Sequence, residues 1–205
     1  MEEANFVSVI SRYVPVESVS RLWYFFENNV VNLKVTQDRT TKYGDFRYSV
    51  RNNDVPQITV NGGLNQYSFL ITLLHEIAHY NVHKYYERVS KPHGLEWKKA
   101  FQETLAPYIN SGIFPRPLEY VLRIHMQNPR ASTHGDQHLV KVLNTYDAPN
   151  NNNLIYLESL QAGQKFALNG RVFYKGIKRR TRYMCIEINT NKKYTINALA
   201  NVEIL

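Results

Sequence analysis

His75-Glu76-Ile77-Ala78-His79 sets two imidazoles and a carboxylate in the spacing His-Glu-x-x-His. On a helix, positions i and i+4 share one face about a turn apart. Two rings placed that way can grip one Zn²⁺ through their ring nitrogens. Glu76, beside the first ring, can then reach a water at the metal as general base. The surrounding stretch, Gln66 to Tyr80, is rich in apolar residues and free of glycine and proline. It predicts a buried helix beginning near Asn65 and running to about Tyr86, which would hold the two rings rigidly.

A catalytic zinc takes three protein ligands and leaves a position for water. Two further histidines follow. His83 continues the i, i+4 series, but on a straight helix it lies about 12 Å along the axis from His75. All ligands must lie about 2 Å from a single ion, so His83 fits a surface or supporting role better. His93 sits in Lys91-Pro92-His93-Gly94, a turn sequence between two helical patterns. The chain can fold back there and carry His93 over the first helix. Leu95 to Leu105 then reads as a second helix beside it.

His75-Glu-Ile-Ala-His79, followed at a distance by His93-Gly94-Leu-Glu-Trp97, resembles the SprT-like metallopeptidases, the group that includes Spartan. Leu33-Lys-Val-Thr36, Arg39-Thr-Thr-Lys-Tyr-Gly44 and Pro56-Gln-Ile-Thr-Val-Asn61 look like that family's strands ahead of the active-site helix. The similarity spans roughly residues 5 to 130. It implies a zincin-like fold, one Zn²⁺ on His75, His79 and His93, and Glu76 as catalytic base. Better-known members act on proteins crosslinked to DNA, a substrate that belongs to particular branches. Many relatives also carry a zinc ribbon with paired cysteines. This chain has one cysteine, Cys185, so its C-terminal part must be something else.

The chain has 205 residues, enough for one substantial domain and a small one. No run of about eighteen apolar residues is present, so no membrane span is expected. The acidic start, Met1-Glu-Glu-Ala-Asn5, lacks the apolar stretch of a signal peptide, and a cytoplasmic location is the expectation. Net charge is +8, and it is uneven: residues 131–205 hold 10 basic and 5 acidic side chains. A basic excess suits a polyanionic partner.

Along the chain, Val16–Glu27 has helical spacing. Leu33–Gln37, Phe46–Val50 and Gln57–Val60 read as short strands, and 95–107, 117–127 and 139–146 as helices. His134-Gly-Asp-Gln-His138 has metal-like spacing, yet no acidic or thiolate partner stands out, and a solvated loop is the simpler account. Asp147 to Asn153 is a turn-rich linker. Beyond it the pattern changes to period two, with strands at 166–168, 171–174, 182–188, 193–196 and 202–205 and a hairpin turn at Asn169-Gly170. The expected fold class is therefore α+β: a zincin-like metallopeptidase domain over 1–146, then a small antiparallel β module over 154–205.

Lys178, Arg179, Arg180 and Arg182 cluster at a turn of that module, flanked by Phe173, Tyr174 and Tyr183. Cations beside aromatics suit single-stranded nucleic acid, through phosphate contacts and base stacking. A solvated basic hairpin is the competing account. Taken together, the expectation is a zinc-dependent endopeptidase with a polypeptide substrate and DNA as a candidate partner. Two alternatives stay open. One is a non-catalytic zinc-containing nucleic-acid-binding protein, against which an intact Glu76 argues. The other is a small-substrate hydrolase, for which an open cleft would be the wrong shape. Tyr80, Tyr85 and Tyr86 are candidates by type for stabilising the oxyanion.

Overall fold

A 20-residue helix, α3 (Gln66–Tyr85), organises the first part of the molecule. Asn65 starts it: the side-chain oxygen accepts from the backbone N–H groups of Tyr67 and Ser68, two donors that a helix start leaves without partners. Phe69, Leu70, Ile71, Leu73, Leu74, Ile77 and Ala78 are almost fully buried, so apolar side chains surround much of the helix. Fully burying a single leucine or isoleucine contributes ~1.5–3 kcal/mol, so the surrounding core fixes α3 firmly.

The computed structural model describes residues 2–37, 42–48, 54–86, 91–131, 135–147 and 154–205. Two compact units, Met1–Asp147 and Ala148–Leu205, make up the chain, and their mix of helices and sheets is α+β. In the first unit, α1 (Glu3–Ile10) and α2 (Val19–Glu27) precede three short strands, β1 (Asn32–Thr36), β2 (Gly44–Arg47) and β3 (Gln57–Asn61). The sheet order is β1-β3-β2, with β1 parallel and β2 antiparallel to β3. Ile58 and Val60 of the middle strand are fully buried. After α3 come α4 (Leu95–Leu105), α5 (Arg116–Gln127) and α6 (Gln137–Asn144).

Most boundaries agree with the sequence reading to within a few residues. Helix α1 was not anticipated: it buries only Phe6 and Ile10, too thin a stripe to register as helical periodicity. The predicted strand 46–50 begins earlier, at Gly44, and Ser49 and Val50 lie outside the described residues.

The second unit is a six-stranded antiparallel sheet in the order β4-β9-β5-β6-β7-β8. Its strands are β4 (Leu154–Tyr156), β5 (Lys165–Leu168), β6 (Arg171–Arg179), β7 (Arg182–Glu187), β8 (Lys193–Asn197) and β9 (Asn201–Ile204). The small core is Leu157, Leu160, Phe166, Phe173, Cys185 and Val202. Asn169 and Gly170 turn β5 into β6 with positive φ at both residues, the backbone that a tight hairpin requires. Strand β6 outruns its predicted end at Tyr174, and β4, only three residues long, was not anticipated.

Candidate metal centre

On α3, His75 and His79 present their Nε2 atoms 3.3 Å apart. His93 arrives from a turn whose ends are tied by the Gly94 N–H donating to the Lys91 carbonyl at 3.0 Å. Pro92 takes the second place of that turn, where its fixed φ is favoured. His93 Nε2 stands 3.0 Å from His79 Nε2 and 3.3 Å from His75 Nε2. Hydrogen bonds alone cannot satisfy such a triangle, because each ring N–H points at one partner only. A shared cation can. Two nitrogens bound at about 2.05 Å to one tetrahedral ion lie about 3.3 Å apart, so the three rings fit a zinc-sized ion. Among the described residues, this is the group of His, Cys, Asp and Glu side chains that can hold a metal.

The rings are also in the right protonation state. Burial, with the neighbouring His79, His93 and His125, pushes the His75 imidazole down to about 2. Burial, then His93, pushes His79 down to about 4, and burial lowers His93. Neutral imidazole is the form that binds metal.

Trp97 forms the wall behind the three rings. It is fully buried, with its ring centre 4.6, 5.5 and 4.8 Å from those of His75, His79 and His93. It stacks on Phe101 at 5.2 Å, and Phe101 meets the buried His125 edge-on. His125 Nδ1 lies 2.9 Å from Asp136 Oδ2. Burial raises the Asp136 carboxyl, but the hydrogen bonds from His125 and the Leu139 N–H outweigh it and hold the group below its usual range. The pair ties α5 to the start of α6 behind the wall. The sequence reading missed it. A histidine in an amphipathic helix gives no sign that a distant aspartate will meet it.

The remaining candidates separate clearly. Glu76 is buried on α3 against Gly44 of β2. His83 is not part of the triangle; its ring stacks on Tyr48 at 3.9 Å. Tyr80 is buried, and its hydroxyl donates to Asn29, while Tyr85 is largely exposed and Tyr86 lies at the end of α3. His134 lies outside the described residues, His138 is exposed on α6, and Asp136 between them serves His125 and the α6 cap.

In the second unit Lys178 and Arg179 end β6, Arg182 begins β7, and Arg180 makes the turn at φ 48°. All four side chains are exposed. Their predicted aromatic flanks fare unequally. Phe173 is a core residue, Tyr183 is half-buried beneath Lys175 and Lys178, and Tyr174 keeps an exposed ring. Part of the local positive charge is internal: Lys175 is buried and donates to the Glu158 and Leu160 carbonyls. Arg171 pairs with Glu187 at 2.6 Å. Comparison of the chain with models of known protein families, with characterised proteins and with solved structures gives no match.

Proposed function

We propose that the first unit is a zinc-dependent endopeptidase of the SprT-like, zincin-like kind. The observation that carries the reading is the triangle of His75, His79 and His93 Nε2 atoms, with Glu76 next in the chain to one of its corners. Zinc, when bound, supplies the Lewis acidity that polarises a scissile carbonyl and makes water acidic. The three histidines would hold it, and Trp97 would keep their rings from turning. Glu76 takes the proton from the attacking water and passes it to the departing amine. A carboxylate kept buried beside the ligands has no purpose in a purely structural site, which disfavours the non-catalytic alternative.

The neighbouring strand supports a polypeptide substrate. β2 ends its sheet and packs on α3, and among the described residues no strand pairs with its outer edge. An extended peptide can add to such an edge through main-chain hydrogen bonds, a mode that small substrates cannot use. For the β unit we propose contact with DNA through Lys178, Arg179, Arg180 and Arg182, bringing the peptidase to DNA-associated proteins. No helix among the described residues is long and apolar enough to cross a membrane.

The test is incubation of the full chain with an unfolded polypeptide, with products read by mass spectrometry. Internal cleavage that a chelator abolishes and added zinc restores is expected. No cleavage in any metal state would overturn the reading.

A further inference from the structure

β2 comes so close to α3 at Gly44 that no side chain fits between them. A Cβ at that position would lie 2.6 Å from Glu76 Oε1, 2.9 Å from Glu76 Cγ and 2.7 Å from Thr72 Cγ2. Real Cβ atoms essentially never come within 3.0 Å of a neighbour. Gly44 is not among the residues with positive φ, so space rather than backbone conformation demands glycine here. Neither element can easily retreat. Gly44 is paired in register with Val60, which is fully buried, and α3 is anchored on both sides of Glu76 by its own buried side chains Thr72, Ile77 and Tyr80. Thr72 is β-branched and its hydroxyl donates to the Ser68 carbonyl at 2.7 Å, so the longer Glu76 side chain is the group freer to yield.

We propose that Gly44 is a positioning residue for Glu76: its bare backbone is the wall that sets where the carboxylate stands relative to the three histidines. The inference rests on the reading of Glu76 as general base. A methyl at Gly44 forces the carboxylate out of its place while leaving His75, His79 and His93 untouched.

Two measurements on the zinc-loaded full chain test this. The first needs no activity. Thermal unfolding is compared for wild type, Gly44→Ala, Glu76→Ala and the double variant. Overpacking should lower the wild-type Tm by roughly 3–10 °C, and by clearly less once Glu76 is truncated. The Thr72 contact adds to both drops and cancels in their difference. Equal drops would overturn the proposal. The second is steady-state hydrolysis by Gly44→Ala. The kcat should fall about tenfold to a hundredfold, with KM within about twofold and one zinc still bound, because a misplaced base costs turnover and not binding. An unchanged kcat, beside a dead Glu76→Gln, would also overturn it. If Glu76→Gln itself keeps full activity, the reading of Glu76 as base fails, and the unfolding cycle alone decides whether Gly44 fixes its side chain.

Discussion

A third ring nitrogen within 3.3 Å of those of His75 and His79 could come from His83 or His93 by their place in the chain, and the fold separates the two. His93 closes the triangle; His83 stacks on Tyr48. His93→Ala should therefore cut bound zinc from one per chain to well below half, whereas His83→Ala should leave it unchanged. Elemental analysis after dialysis reads both, and the reverse pattern would show that the ligands are misassigned. Residues of the helix motif were legible in the sequence because their chemistry depends on spacing within one turn. His93 was legible because a Pro/Gly turn announces a chain reversal. Gly44, Trp97 as a wall, and the His125–Asp136 pair owe their roles to contacts across elements, and no local pattern encodes those.

At the scale of elements, α3 depends on its start. Asn65→Ala removes acceptors for two backbone N–H groups and should cost about 1 kcal/mol, seen as a lower unfolding midpoint in denaturant. The β unit depends on a charged pair instead. The hydrogen bond from Arg171, then that from Thr190, pushes the Glu187 carboxyl down to about 2. A carboxyl whose folded value lies below its unfolded value of about 4.3 stabilises the fold above that pH, and the contribution disappears as pH falls towards 2. Cys185, the only cysteine and fully buried in this unit, reports the change. Its labelling by a pyridyl disulfide should accelerate between about pH 4 and 2 in wild type. In Glu187→Gln labelling near neutral pH should be faster than in wild type, with less acceleration as pH falls over that window. A steep pH dependence retained in that variant would mean that another group controls the unit. The period-two pattern made the sheet visible in the sequence. Buried Lys175 was not visible, because a lysine in a strand ordinarily faces water.

Across the whole molecule, a candidate metal centre in the first unit is joined to a β unit with an exposed basic cluster. If Lys178, Arg179, Arg180 and Arg182 contact DNA, replacing all four with glutamine should weaken binding of single-stranded DNA. It should also flatten the dependence of binding on salt, with zinc content unchanged. Fluorescence anisotropy of a labelled oligonucleotide at several salt concentrations measures this, and equal binding by both proteins would assign the unit another purpose. The two-unit division was legible from the linker and the change of period; which aromatics stay exposed was not, since Phe173 and Tyr174 are neighbours on opposite faces of one strand. The proposed peptide hydrolysis by the first unit depends on Glu76 as the base, and Glu76→Gln is the decisive variant. That variant keeps the size of the side chain and all three histidines but removes the base. Zinc should remain at one per chain while hydrolysis of an unfolded polypeptide falls at least about a hundredfold; hydrolysis at the wild-type rate with zinc bound would rule out Glu76 as the base.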